Sequence, residues 1–562
     1  MSSGGTGRSG ATSTRSRGSG AAARSGARSR ARSAAGARGS RPPHREEALR
    51  PVPAAVAVPV GAVGGLAAVA AFPPYDLWFL LPLAIGALGA TALTRTATAT
   101  LLASFAWGLG FFVPLTHWAA TYAGAMPWLA LGIFQALFPV LFAVLARTVL
   151  VRRGLGPGSA LVVAALWVAV ETLRSHAPWG GLPWGASAFA LADSPLLNLG
   201  PWIGTAGLAL VCALLGLGVL RGVLALTGRS RRGLGGIAGL LPIAVSITVV
   251  AACLLVPYPP NPAPAQQSTL RVAGIQGNMD PIDPVALTMP EGVFENHLAM
   301  SHEVLRSEGT DLDLIVWPED STGWDPRADP YREQAIVDLS GQAGAPVMIG
   351  TQTPTEDGRR YNHSLVYAPD GQVVYQYAKR HPVPFGEYIP ARSFFRAITD
   401  KVDMVSSDMI AGEEVGVTDV AGPPIGVLIC FEIAYDNLVR DVVDDGAQLI
   451  VVQSNNALFG ESHEAVQQVA EAKVLAVVSG RSVVHVSTVG ESAIYGPEGR
   501  ELARTGHWEQ GAVVADVPLR TGITPAVAAG WWTPLIISAL GLAGVAAALT
   551  RKDRAIALPG RR

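Results

Sequence analysis

Hydrophobic and polar positions along this chain follow two regimes. From residue 51 to 257 apolar residues run with few interruptions, in stretches near the ~20 residues that cross a ~30 Å hydrocarbon core. Such stretches lie at 54–72, 77–94, 100–118, 127–147, 158–175, 202–225 and 235–256, with one more at 526–549. They predict a membrane domain of seven transmembrane helices over 51–257 and a C-terminal transmembrane helix over 526–549. Between 268 and 520 the period changes. Leu270–Gln276, Leu312–Trp317 and Val347–Gly350 read as strands, with helical patterns at 293–308 and 330–343. A hairpin of Ser364–Tyr367 with Val373–Tyr377 turns on Pro369-Asp370-Gly371. A strand ending at Ile429, a helix at 435–445, a strand Leu449–Gln453 and a helix at 463–479 follow, then strands at 482–488, 491–495 and 512–516. This alternation predicts a layered α/β domain with a mixed sheet.

Composition sharpens the division. The 562 residues are 49% hydrophobic and 15% charged, where a soluble chain carries about 25% charged residues. The formal net charge of −1 hides an asymmetry, and no nucleic-acid partner is expected. Residues 1–50 are rich in Ser, Gly, Ala and Arg, cannot bury a core, and predict a disordered basic tail. Loops bearing Arg95, then Arg147, Arg152 and Arg153, then Arg221, Arg229, Arg231 and Arg232 fall on the same side as that tail. The basic C-terminal segment 550–562 falls there too, whereas loops 73–76 and 119–126 have no Lys or Arg. Basic loops stay cytoplasmic. The expectation is a multi-pass plasma-membrane protein, both termini cytoplasmic and 268–520 extracytoplasmic. Inside the spans, Glu171 and Arg174 lie three apart and can pair on one helix face. The Gly180–Gly185 loop after them, with Trp184, reads as an outer-interface segment that meets the outer domain.

Three strand ends carry chemistry-grade side chains. Trp317-Pro318-Glu319 stops a strand with Pro and presents a carboxylate, Lys379 follows Tyr375–Ala378, and Cys430 follows Gly426–Ile429. Cys430 is the one cysteine outside the apolar stretches that hold Cys212 and Cys253, so the outer domain cannot form an internal disulfide. A carboxylate, an amine and a thiol suit acyl transfer: a base for the thiol, a nucleophile, and a stabiliser of the oxyanion. No His/Cys cluster has metal-ligand spacing, and neither metal nor cofactor is expected.

Val-Trp-Pro-Glu at Glu319, Lys-Arg-His-Pro-Val-Pro-Phe-Gly-Glu-Tyr-Ile-Pro from Lys379, and Ile-Cys-Phe-Glu at Cys430 resemble the Glu–Lys–Cys triad segments of the nitrilase (carbon–nitrogen hydrolase) superfamily. With Phe-Pro-Pro near the first span, the 167–184 segment and Gln276-Gly277-Asn278, the chain resembles the apolipoprotein N-acyltransferases, in an actinobacterial-type form. The resemblance implies an αββα sandwich. It implies Cys430 as nucleophile, Glu319 as general base and Lys379 as stabiliser of the intermediates. Glu387, Glu432 and Phe431 would support the site or bind substrate. It also implies a phospholipid acyl donor, an apolipoprotein acceptor bearing a diacylglyceryl-cysteine, and a thioester intermediate in a monomeric enzyme. The chain departs from the family pattern at Phe431, where Tyr is frequent, at Pro382, and in Ser454–Gly460, which lacks the usual Asp and Trp. Residues 391–410, with Phe394, Phe395, Met404, Met409 and Ile410, predict an arm whose apolar groups enter the bilayer. A membrane-tethered amidase and a catalytically silent scaffold are the alternative readings.

Overall fold

The computed structural model describes residues 50–229, 240–261, 268–279 and 292–550. The predicted tails, 1–50 and 550–562, lie outside these residues apart from Arg50 and Thr550, as does the start of the 235–256 stretch. Apolar helices occupy all the predicted stretches: α1 (Ala54–Val69), α2 (Leu80–Thr91), α3 (Ala97–Leu115), then, past the short α4 (Trp118–Ala123), α5 (Ala125–Arg153), α6 (Pro157–His176), α7 (Gly200–Leu226) and α8 (Leu241–Cys253). Near the C-terminus runs the last of them, Trp532–Leu549. Among the described residues, five are long and apolar enough to cross a membrane: α3, α5, α6, the 195–226 segment containing α7, and Trp532–Leu549. α1, α2 and α8 are shorter, at 16, 12 and 13 residues. Turns between 70 and 79 and between 92 and 96 take up apolar residues that the sequence assigned to spans.

Small residues let these helices approach. A Cβ on Gly65 of α1 would lie 2.1 Å from the Trp107 carbonyl oxygen of α3, so only glycine fits that crossing. Trp107 is fully buried and its indole N–H donates to the Ala84 carbonyl of α2 at 2.9 Å. Glu171 and Arg174, whose spacing allows a pair, form no direct ion pair. Arg174 donates to the Leu182 and Trp184 carbonyls at 2.6 and 2.8 Å, and Glu171 accepts from the Ser187 amide and hydroxyl at 3.0 and 2.7 Å. Loop carbonyls and amides that no helix can satisfy capture both charges and shape the 182–187 loop.

The polar domain has two six-stranded sheets. Its strands are β1 (Thr269–Gln276), β2 (Leu314–Val316), β3 (Val347–Pro354), β4 (Arg360–Tyr367), β5 (Val373–Ala378), β6 (Val417–Thr418), β7 (Ile425–Ile429), β8 (Leu449–Ser454), β9 (Ser482–Ser487), β10 (Ala493–Tyr495), β11 (Glu501–Arg504) and β12 (Gly511–Pro518). The first sheet runs β12-β1-β2-β3-β4-β5 and the second β11-β10-β9-β8-β7-β6. Parallel pairs β1–β2–β3 and β7–β8–β9 form the two centres, and the flanking pairs are antiparallel. Val272, Val316 and Met348 of one sheet and Val427, Val451 and Val484 of the other belong to one buried cluster.

Helices α9 (Val293–Glu308) and α10 (Pro330–Ala343) cover the first sheet, with Phe294, Ile336 and Leu339 packed on Ala273, Ile315 and Val347. The short α11 (Arg392–Arg396) sits in the predicted arm. Helices α12 (Asp436–Asp444) and α13 (Glu464–Ser479) cover the second sheet, before α14 (Pro525–Ala529) and α15 (Trp532–Leu549). The fold is therefore an αββα sandwich joined to a bundle of apolar helices.

The two parts share one buried surface. α13 packs against β9 and β10 on one side and α7 on the other, so nearly every residue along it is buried. The Trp184 indole N–H donates to Gln467 Oε1 at 2.7 Å, Tyr435 OH donates to the Gly181 carbonyl at 3.1 Å, and Thr205 OH donates to Asp436 at 2.6 Å.

Candidate active site

The chemistry-bearing strand ends converge. Glu319 lies just beyond β2, where Gly350 of β3 admits its backbone: a Cβ there would stand 2.6 Å from Glu319 Cα. Lys379 follows β5 and Cys430 follows β7 directly. Cys430 has φ +56°, a left-handed conformation that costs a non-glycine residue about 1 kcal/mol or more and points its thiol off the strand end. Lys379 is fully buried, and its Nζ donates to Glu319 Oε1 at 3.2 Å and to Glu387 Oε1 at 2.7 Å. Glu319 also accepts from Asn362 Nδ2 at 2.6 Å and from the Asn455 amide at 2.9 Å, and it stands close enough to Cys430 for the two groups to shift each other's protonation.

Burial and like charge set the protonation states. Burial raises the Glu319 carboxyl above the usual carboxylate range; Lys379 opposes the shift and Glu387 adds to it. Burial, with Glu319 beside it, pushes the Cys430 thiol well up, against the pull of Lys379. Burial works against the Lys379 ammonium, but Glu319, Glu387 and Cys430 outweigh it and hold the charge. The thiol therefore rests protonated against a carboxylate of raised basicity, with a fixed cation alongside. That is the arrangement for a thiol that loses its proton only as it attacks a carbonyl carbon.

Glu387 is held by its own turn, with Oε2 accepting from the Val383 amide at 2.6 Å. Glu432 ties two strand ends together. Its Oε1 accepts from the Arg380 and His381 amides at 2.7 and 3.0 Å, its Oε2 from the Ile429 amide at 2.8 Å, and Tyr377 OH reaches both oxygens at 3.1 and 3.0 Å. It thus fixes the Lys379 loop against the turn that carries Cys430. Phe431 points away from the carboxylates into an aromatic group, with centroids 4.8 Å from Trp184 and 5.7 Å from Trp118. The wall behind the cysteine is built jointly by both parts of the chain.

Sequence reasoning missed Asn362, Asn455, Glu464 and Gln468. Gln468 Nε2 approaches Cys430 Sγ at 3.8 Å, and Glu464 is close enough for its charge to raise the thiol. The polar positions 464, 467, 468 and 471 on apolar α13 form an i, i+3, i+4, i+7 stripe. That stripe is a signal the sequence held. Asn362 lies within β4 and gave none.

Residues 271–524 match the carbon–nitrogen hydrolase family, and residues 64–218 match the apolipoprotein N-acyltransferase N-terminal domain. The molecule is a membrane protein with a nitrilase-superfamily domain. The chain is 32% identical over 506 residues to the apolipoprotein N-acyltransferase of Mycolicibacterium smegmatis, spanning 86% of this chain and 83% of that one. It is 27% identical over 500 residues to the apolipoprotein N-acyltransferase of Photobacterium profundum, spanning 85% and 91%. The chain belongs to the apolipoprotein N-acyltransferase family. A solved structure of an amidase from Nesterenkonia sp. is 19% identical with a TM-score of 0.34, covering 46% of this chain and 94% of that chain.

Glu432→Gln removes the negative charge and one acceptor oxygen, leaving a buried N–H of the 380–381 or Ile429 backbone facing an NH₂. An unpaired buried donor costs about 1–3 kcal/mol. Thermal unfolding of the detergent-solubilised variant should shift down by several degrees, whereas Glu432→Ala should be worse still. An unchanged melting temperature would show that this clamp contributes nothing.

Proposed function

We propose that this protein transfers a fatty acyl chain from a membrane phospholipid to the α-amine of the diacylglyceryl-cysteine that begins an apolipoprotein. The reaction runs through a thioester on Cys430. The thiol passes its proton to Glu319 as sulfur attacks the ester carbonyl, forming the C–S bond. Lys379 and the backbone N–H of Phe431 stabilise the oxyanion. The intermediate collapses with cleavage of the ester C–O bond, and Glu319 returns the proton to the departing alkoxide, releasing a lysophospholipid. The acceptor amine then attacks the thioester, C–N forms and C–S breaks, and Glu319 carries a proton from nitrogen back to the thiolate.

One observation carries this reading: the buried Glu319–Lys379–Cys430 constellation sits directly on the ends of the apolar helices, with Phe431 packed on Trp118 and Trp184. Substrates that keep their chains in the bilayer reach it without extraction. Pulling a long acyl chain into water costs ~0.8 kcal/mol per CH₂, roughly 10 kcal/mol or more in all. The relatives from Mycolicibacterium smegmatis and Photobacterium profundum are apolipoprotein N-acyltransferases, which supports the same assignment.

The catalytic domain faces the extracytoplasmic side in this account, with both termini in the cytoplasm. The distribution of charge supports it. α5 starts beside Tyr122, whose OH reaches the Gly386 carbonyl of the catalytic domain, and ends at Arg152 and Arg153. The arm supplies a membrane contact near the triad. Phe394 and Ile398 are 61% and 66% exposed, and Phe395 packs against Phe385 and Trp179 at 4.9 and 5.7 Å. Met409, by contrast, is buried and anchors the arm's return.

Two measurements test the reading. In proteoliposomes with acyl-labelled phospholipid and a diacylglyceryl lipopeptide, the labelled product should be the lipopeptide heavier by one acyl chain. Cys430→Ser and Glu319→Gln should lower its formation by on the order of 10³-fold or more. Labelled free fatty acid with unmodified lipopeptide would instead mark a hydrolase. Replacing Phe394 and Phe395 together by Ser should slow the acylation step about tenfold, through lost burial in the bilayer. An unchanged acylation rate would remove the arm from the mechanism.

A further inference from the structure

Around Cys430 the charges do not balance by position. Lys379 lies between Glu319 and Glu387, and Glu432 is occupied by backbone amides and Tyr377. Glu464 has neither kind of partner set. It is fully buried, its Oε2 accepts from Asn456 Nδ2 at 2.6 Å, and its Oε1 has no hydrogen-bond partner. Among the described residues no Lys, Arg or His forms an ion pair with it. Its surroundings tie it to the nucleophile. Asn456 Nδ2 also donates to Gln468 Oε1 at 3.0 Å, and Gln468 Nε2 is the group 3.8 Å from Cys430 Sγ. Gln468 is held in turn by His485, with Nε2 at 3.2 Å from Oε1. Gln468 and Glu464 thus form a second polar flank of the thiol, contributed by α13, while Glu319 comes from the β2 end.

This flank lies where the membrane part meets the site. The loop leading into Glu464 packs on the ends of the apolar helices, with Phe459 centred 5.2 Å from Trp118 and His463 6.0 Å from Tyr75. A buried carboxyl oxygen without a donor is costly to leave unpaired, and a buried carboxylate more so. Of the two substrates, the phospholipid presents an ester at the reacting centre, and the acceptor presents an α-ammonium.

We propose that Glu464 is the acceptor-specific carboxylate of this site, whose free oxygen binds the α-ammonium of the incoming lipid-modified cysteine and takes its first proton. The proposal rests on the transferase reading above. The step balances: N–H breaks and O–H forms at Glu464, leaving a neutral amine beside a neutral acid. The nitrogen lone pair then forms C–N, C–S breaks, and the second proton goes through Glu319 to the Cys430 thiolate. The proton on Glu464 leaves to solvent with the product. Burial, reinforced by Glu319, pushes the free Glu464 carboxyl up to about 8, close to the about 8 of an α-amine. The ammonium is bound by the ionised fraction of Glu464, a proton then passes between them at small cost, and a dry site favours the neutral pair over two buried charges.

The two half-reactions separate this role from a structural one. Glu464→Gln keeps the shape and an oxygen for Asn456. In single-turnover experiments its acylation by labelled phospholipid should stay within about twofold of wild type. Transfer from the isolated acyl-enzyme to a diacylglyceryl lipopeptide should fall about 30-fold or more. Glu471→Gln changes a buried carboxyl on the same face, about 10 Å further along α13, and should leave both half-reactions as they are. On the wild-type protein, a lipopeptide whose α-amine is replaced by hydrogen should bind at least tenfold more weakly than the amino form. Equal binding of the two overturns the proposal whether or not the variant folds. So does a Glu464→Gln acyl-enzyme that transfers at the wild-type rate, or a parallel loss of both half-reactions. Failure of the wild-type protein to form any acyl-enzyme overturns the transferase reading itself, and this proposal with it.

Discussion

Everything at the centre of this protein depends on one buried cation. Lys379 is withdrawn from water, a step that costs several kcal/mol for an isolated ion, and it persists only because Glu319 and Glu387 meet it from two sides. The same contacts orient Glu319 so that its carboxylate can also receive the Cys430 thiol. Removing Lys379 leaves two buried carboxylates without their cation, and removing either carboxylate leaves the buried cation with a single counter-charge. The three come from chain positions up to 111 residues apart, from Glu319 to Cys430, and the clamp formed by Glu432 keeps the last two segments in register. A left-handed Cys430 adds local strain that this scaffold has to hold.

The second constraint is the shared surface between helices and sandwich. In a free-standing αββα domain, the helix layer over the second sheet would face water and carry charge. Here α13 lies between the sheet and α7, and apart from Lys473, which reaches Asp193 at its edge, and the terminal Ser479, its polar residues form one buried stripe of Glu and Gln. The buried Glu464, Gln467, Gln468 and Glu471 cannot be there for solubility. Two of them, Gln467 and Gln468, connect outward to Trp184 and inward to Cys430. The membrane part therefore forms part of the wall around Cys430, and Phe431, next to Cys430, packs on Trp118 of α4 and Trp184 of the loop after α6.

Much of this was legible in the amino-acid sequence because strand ends are punctuated. Pro318 stops β2 just before Glu319, and β7 ends its apolar run at Cys430, so side chains at these points leave the ladder and face one edge. Helices α9 and α10 fall at the residues their periodicity predicts. Long-range choices were not legible. The i, i+3 spacing of Glu171 and Arg174 allows a pair, yet loop amides and carbonyls took both. β6, of two residues, and the largely exposed edge strand β11 carry no alternation to read. Asn362 and Asn455 serve Glu319 only through tertiary contact. Apolar stretches were read as full spans, but length alone does not distinguish a helix from a helix with an apolar turn, as α2 illustrates.

In the proposed reaction Cys430 carries the acyl group between two lipid substrates. The most direct measurement is peptide mass spectrometry of the wild-type protein after incubation with phospholipid vesicles and no acceptor. One acyl chain is expected on the Cys430 peptide, released by neutral hydroxylamine as a thioester, with an equimolar amount of lysophospholipid. An acyl group on another residue, or lysophospholipid formed with Cys430 unmodified, would contradict it.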